Sequence, residues 1–134
     1  MADSKQIEIE VITPDRKVLE SVADQVVIPA HDGELGVLNL RAPLMCELGI
    51  GRLRYTAGGA PRQMFIDGGF AQVLQNRVIV LTSRALPAEE ITPDVIQEAQ
   101  QAADAHEGTD QDTQLARQRD QQRVGVLRRL QSGA

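Results

Sequence analysis

The chain changes grammar near Pro87, and that change constrains the fold more than any single motif. Eight of its 11 glycines lie before residue 70, and only Gly108, Gly125 and Gly133 follow. In the first part, apolar residues come in short runs. Ile7, Ile9 and Val11 alternate with Glu8 and Glu10, the pattern of a half-buried strand. Gln25-Val26-Val27-Ile28 and Val78-Ile79-Val80-Leu81 are β-branched runs suited to interior strands. Residues 50–56 and 63–66 suit two more. Turn signals separate them: Thr13-Pro14-Asp15, His31-Asp32-Gly33, Ala57-Gly58-Gly59-Ala60-Pro61 and Asp67-Gly68-Gly69. Short strands with regular turns predict an antiparallel β-sandwich or barrel over residues 1–88.

The second part, residues 89–134, reads as helices. Thr92-Pro93-Asp94 is a helix start, with Thr92 as N-cap, Pro93 at the first helical position and Asp94 favourable to the helix dipole. Val95, Ala99, Ala102, Ala103 and His106 then recur at helical spacing, and Gly108 ends the helix. A second helix begins around residues 110–112 and runs to about Gln131. The expected fold is therefore β plus α: an antiparallel β-sandwich or barrel followed by a two-helix antiparallel hairpin.

Charge separates along the hairpin. Residues 89–112 hold eight acidic side chains and no Lys or Arg. Residues 113–134 hold Arg117, Arg119, Arg123, Arg128 and Arg129 against one acid, Asp120. Two readings stay open: the helices pair by charge and face water, or the second helix also serves an acidic partner. Seven polar residues interrupt that helix before Val124, Val126, Leu127 and Leu130, and Gly125 costs roughly 1 kcal/mol against Ala. The pattern predicts a helix held loosely by its own domain and able to detach.

Composition narrows the function. Hydrophobic residues make up 42% of the 134, enough for a core, while aromatics are only 2%. Few aromatics argue against stacking platforms, and a net charge of −5 argues against a free nucleic-acid binder. Cys46 stands alone, so it reads as a small hydrophobe, with no internal disulfide and no cysteine-based zinc site. The start lacks the basic and apolar regions of a signal peptide, and the longest apolar run is too short to cross a bilayer. The chain is expected in the cytosol, or at a membrane only through partners.

Signals for catalysis are weak. His31 and His106 fall in different halves without metal-spaced companions, so no metal site is expected. Ser83 has no nucleophile-elbow setting, and there is no phosphate-binding glycine loop. The feature that stands out is the run His31-Asp32-Gly33-Glu34-Leu35-Gly36-Val37, followed by Arg41-Ala42-Pro43-Leu44. It is a turn with two carboxylates at its tip, then a stiffened apolar step. That suits a surface built to touch a partner.

The residues Gly33-Glu34-Leu35-Gly36-Val37, Ala42-Pro43-Leu44, Ile66-Asp67-Gly68-Gly69-Phe70 and the run 78–81 resemble the epsilon subunit of bacterial F-type ATP synthases. Glu98-Ala99, His106 and Arg123-Val124 fit as well, so the resemblance covers about residues 6–131. It implies a non-catalytic central-stalk subunit without a cofactor, coupling proton-driven rotation of the c-ring to the gamma subunit. It implies a peripheral position at the cytoplasmic face of the inner membrane. Asp32, Gly33 and Glu34 would meet the c-ring, and Arg41, Ala42, Pro43 and Leu44 would face gamma. The hairpin of this family folds on the sandwich or extends along gamma. In the extended form, Arg117, Arg119, Arg123, Arg128 and Arg129 are the candidates for an inhibitory contact with the beta subunit, near alpha.

One departure concerns nucleotide. Family members that bind ATP carry Ile/Leu-Asp-x-x-Arg-Ala where this chain has Ile91-Thr92-Pro93-Asp94-Val95-Ile96. Thr92, Val95 and Ile96 replace the Asp, Arg and Ala, so no nucleotide site is expected. Two rival readings remain on the residues alone. One is a free-standing β-sandwich ligand-binding or adaptor module with a helical tail; the other is a small hydrolase using Asp32 and Glu34.

Overall fold

The computed structural model describes residues 6–133. Eight strands precede two helices: β1 (Ile7–Ile12), β2 (Lys17–Ala23), β3 (Gln25–Ala30), β4 (Gly33–Val37), β5 (Leu44–Ala57), β6 (Ala60–Leu74), β7 (Arg77–Leu81) and β8 (Ala85–Pro87). A 3-10 turn at Ala88–Glu90 leads to α1 (Pro93–Asp104) and α2 (Gln111–Gln131).

The strands are hydrogen-bonded in one path, β2-β1-β7-β6-β5-β3-β4, with β8 added on β6. All neighbours are antiparallel except β1 and β7, which run parallel. The β-domain is antiparallel, as expected, everywhere but at that one seam. The reason is topological: β1 enters between its hairpin partner β2 and the distant β7, whose direction is already set by the β6–β7 turn.

The path folds on itself to make two layers. Met64–Ile66 of β6 pairs with β8, whereas Phe70–Leu74 of the same strand pairs with β7. Ile7, Ile9 and Val11 of β1, Val78 and Val80 of β7, Val26 and Ile28 of β3, and Leu53 of β5 share one core cluster, so both layers point inward. Alternation puts Met64 and Ile66 in that core and Phe65 on the opposite face, where it is also fully buried, under the helices. A strand buried on both faces explains the unbroken apolar run at 64–66.

The bend in β6 falls at Gly68 and Gly69, with φ of +70° and +110°. A Cβ on Gly69 would stand 1.9 Å from the Leu81 carbonyl oxygen. Neither the conformation nor the space admits a side chain. Two further turn residues, Gln75 and Asn76, take positive φ in the two-residue β6–β7 turn.

The helices start as the sequence predicts. The Thr92 hydroxyl accepts from the Val95 amide, and Pro93 opens α1. Asp110 caps α2, accepting from the Thr113 amide and hydroxyl. Those bonds hold the Asp110 carboxyl below its ordinary value. Its contribution is therefore present above the ordinary carboxylate range and lost as pH falls through the lowered value. The first helix stops at Asp104, before Gly108, which lies in the turn with φ +112°.

Gly69→Ala is expected to destabilise the domain by about 3 kcal/mol or more in urea unfolding. Gly36→Ala, where an added Cβ meets nothing within 4 Å, serves as the control and is expected to stay within about 1 kcal/mol. Equal effects at the two positions would contradict the bend.

Candidate functional site: two outward surfaces and a docked hairpin

The outer face of β5, β6 and β7 is apolar and open. Phe70 lies directly opposite Leu81, and Met45 opposite Gln72, which faces the half-buried Ile79. Met45 is 71% exposed, Phe70 56%, Leu81 52% and Leu74 42%. Toward β1 and β2 the face becomes ionic, with Lys17 bonded to Glu10 and Glu20 and Arg77 to Glu8. The Lys17 ammonium holds the Glu10 carboxyl below its ordinary value, more than offsetting burial.

The loop between β4 and β5 extends this surface. Leu40 is 81% exposed and has φ +66°. That backbone is unfavourable for a branched side chain and needs an external hold. Asn76 supplies it: its Oδ1 accepts from the Leu40 amide at 2.7 Å, and its Nδ2 donates to Asn39 Oδ1 at 2.6 Å. The Asn76 carbonyl also accepts from the Glu8 amide. Asn76 thus joins β1, the β6–β7 turn and the loop, a role that no local sequence signal announces. Arg41, Ala42 and Pro43 are exposed beside it, while Leu44 turns inward and packs on the core. The apolar groups that the segment shows to solvent are therefore Leu38, Leu40 and Met45.

At the β3–β4 turn the two carboxylates differ. Asp32 is exposed at the tip, and Gly33 takes φ +143°. Glu34 is ion-paired with Arg54 at 2.9 Å and Arg52 at 3.8 Å. Both oxygens of the Glu34 carboxylate thus face guanidinium groups. His31 is exposed, with its amide bonded to the Glu47 carbonyl. A cleft of about 490 Å³ opens between this turn and α2, lined by glycines 33, 49, 51 and 125. Among the described residues no group of three or more His, Cys, Asp or Glu is placed to hold a metal ion. No helix of the described chain is long and apolar enough to cross a membrane.

The hairpin lies folded on the sandwich. Val126, Leu127 and Leu130 of α2 pack with Ile91 and Ile96 against Phe65, flanked by Ile50, Leu86, Val95 and Ala99. The polar middle of α2, which interrupts the apolar pattern in the sequence, also docks. Gln122 donates to the Ile50 carbonyl at 3.1 Å, and Arg123 Nε donates to Asp67 Oδ2 at 2.9 Å. Arg123 also pairs with Asp120, whose other oxygen meets His106 Nε2 at 2.5 Å. Burial opposes the Arg123 charge, but Asp67 and Asp120 outweigh it and raise its affinity for the proton.

The five arginines thus have different fates. Arg117 bonds the His106 and Gly108 carbonyls and closes the interhelix turn. Arg123 is bridged as described, and Arg128 bonds Gln100. Arg119 and Arg129 are exposed. At the start of α1, Val95 and Ile96 belong to the apolar cluster and Thr92 is spent as a cap.

With this geometry in hand, the family comparison is decisive. The model of the ATP synthase delta/epsilon chain β-sandwich domain matches residues 6–88. This chain belongs to the ATP synthase delta/epsilon family. The chain is 44% identical over 87 residues to the ATP synthase epsilon chain of Nitratidesulfovibrio vulgaris, covering 65% of each. It is 43% identical over 103 residues to the epsilon chain of Carboxydothermus hydrogenoformans, covering 77% of this chain and 75% of that one. The matched stretches thus span about two thirds to three quarters of those relatives' lengths. A chain in the cryo-EM structure of Euglena gracilis mitochondrial ATP synthase, OSCP/F1/c-ring, aligns with TM-score 0.77 and 26% identity. That alignment covers 92% of this chain and 80% of the Euglena one.

Leu127 is 1% exposed, and Leu127→Ala is expected to remove about 2–4 kcal/mol of hairpin docking. Hydrogen exchange should speed up across α2 while β5 and β6 keep their protection. Loss of protection in both parts together would show that hairpin and sandwich unfold as one unit.

Proposed function

We propose that this chain is the epsilon subunit of an F-type ATP synthase, a non-catalytic part of the central stalk. It sits against gamma and on the c-ring and is held at the cytoplasmic face of the membrane only through them. The observation that carries this reading is the open apolar face of Met45, Phe70, Leu74 and Leu81 on a sandwich of this family. An exposed patch of that kind marks a protein–protein surface. The strained, exposed Leu40 and the neighbouring Arg41, Ala42, Pro43 and Leu44 extend it toward gamma. Asp32, Gly33 and Glu34, at a separate place on the sandwich, offer a polar contact to the c-ring loops. The enclosing complex of the Euglena chain includes F1 and the c-ring, which supports both partners.

The hairpin is read as a regulatory arm of 89–134, with the β-domain of 1–88 as the seat. Docked and folded, the hairpin ties Arg123 to the sandwich and holds Arg117 and Arg128 within itself; with the hairpin released and its two helices drawn apart, all five arginines including Arg119 and Arg129 can meet the acidic surface of a beta subunit. Release uncovers Leu127, Leu130 and Phe65. Each such side chain is worth about 1.5–3 kcal/mol when fully buried. Extension therefore requires partner contacts of comparable size. Nucleotide is not the trigger in this reading. Thr92, Val95 and Ile96 are used for capping and packing, and titration calorimetry with millimolar ATP is expected to show no saturable heat.

Two measurements test the proposal. Leu40→Asn tolerates the left-handed backbone, and Phe70→Ser removes exposed apolar surface. Both are expected to keep the melting temperature within a few degrees and to weaken capture by gamma at least about tenfold. Unchanged capture would remove the apolar face from the interface. In the second, the catalytic head from the same organism is reconstituted with the native chain or with a chain carrying Gln at positions 117, 119, 128 and 129. Both chains are expected to bind, and only the native one to slow ATP hydrolysis. Binding without slowing by either would make the hairpin a structural element.

A further inference from the structure

His106, Asp120, Arg123 and Asp67 form one continuous chain of charge contacts. It begins in the interhelix turn, passes through Asp120 and Arg123 of α2 and ends at the bend of β6. Its side chains are mostly shielded: 27% exposed for His106, 17% for Asp120, 29% for Arg123 and 13% for Asp67. Shielding of that degree makes the charge balance matter more than it would at a fully exposed pair.

The balance depends on one proton. With a neutral imidazole, two carboxylates face one guanidinium, leaving one negative charge uncompensated. With an imidazolium, two anions face two cations. Nε2 donates to Asp120 in either form, so protonation changes the charge without breaking the hydrogen bond. Other groups face the same turn. Arg117 of α2 donates to the His106 carbonyl and opposes an added proton, whereas Glu107 beside His106 favours it. Asp104 of α1 is bonded to Gln100, and the Arg84 backbone accepts from the Asp67 amide. The dominant contact at the ring itself is the Asp120 carboxylate.

We propose that His106, Asp120, Arg123 and Asp67 are a proton-sensitive latch: a proton on His106 tightens the docking of the hairpin on the sandwich, and its loss loosens it. Asp120 is shared by the imidazole and by Arg123. Compensating its charge from the His106 side leaves Asp67 as the undivided partner of Arg123, the only ionic tie between α2 and the β-domain among the described residues. The tie is stronger when the imidazole carries the proton than when it is neutral, and histidine side chains in general exchange that proton between roughly pH 5 and 8. This deepens the regulatory reading of the hairpin, but it concerns the free chain and stands or falls without a catalytic head.

The test is amide hydrogen exchange of the full native chain at both ends of that range, corrected for the intrinsic pH dependence of exchange. Protection of α2 beyond Arg123 is expected to be about two- to fivefold higher at the acid end, with β5 and β6 unchanged. His106→Gln keeps a side-chain donor but cannot take the proton. It is expected to abolish the pH dependence and leave α2 at the looser level. Asp67→Asn is expected to loosen α2 at both pH values. A native chain whose α2 protection does not change with pH would overturn the latch. So would a pH dependence that survives in His106→Gln, since the proton would then be acting elsewhere. Failure of the sandwich amides in either variant would be visible in the same data. The assignment would then rest on the native chain's pH response alone.

Discussion

The bend of β6 at Gly68 and Gly69 is the constraint on which the rest of the molecule depends. Because Gly69 accepts no side chain against the Leu81 carbonyl, one strand can serve both layers. Before the bend it pairs with β8 and buries Phe65 under the helices; after it, the strand pairs with β7 and shows Phe70 to solvent. Asp67 stands at the bend, its amide and carbonyl bound by the segment that follows β7. Its carboxylate is thereby fixed where Arg123 can reach it. The open apolar face and the anchor of the hairpin are two consequences of the same local geometry.

That arrangement separates two jobs. The face of Met45, Phe70, Leu74 and Leu81 lies on the β7 side of the bend, and the hairpin lies on the β8 side. A partner can occupy the first without displacing the second. Docking of the hairpin rests on a small apolar cluster around Phe65 together with polar ties at Gln122 and Arg123. A contact of that composition is held at moderate strength, and it can respond to changes of charge within it.

How much of this was legible in the sequence follows from how local each signal was. β1, β3 and β7 announce themselves by alternation or β-branched runs, and the first helix by its cap at Thr92; the cap at Asp110 shows only in the structure. β2 was hidden by Lys17, Glu20, Ser21 and Ala23, residues that make a strand only because β1 holds them at the sheet edge. β4 reads as a turn with an apolar arm, and β8 is three residues that pair only because β6 passes beside them. The full lengths of β5 and β6 were obscured by Gly49, Gly51, Gly68 and Gly69, which look like breaks but bend a continuous pairing. The paired state of Glu34 and the inward turn of Leu44 depend on neighbours from other strands. The Arg123–Asp67 bridge spans 56 positions, and Asn76 acts through a loop 36 residues away. No local pattern carries either.

The central claim is that the hairpin is a docked arm able to leave the sandwich when the chain meets its partners. The most direct measurement is the distance distribution between spin labels at the exposed positions Asp15 and Gln118, with Cys46→Ser to remove the native thiol. It would be recorded for the free chain and for the chain bound to the catalytic head. The account predicts one narrow distribution in the free chain, matching the docked structure, and a second, separate distribution in the complex. A single distribution at the docked distance in both states would contradict it and reduce the hairpin to a fixed part of the domain.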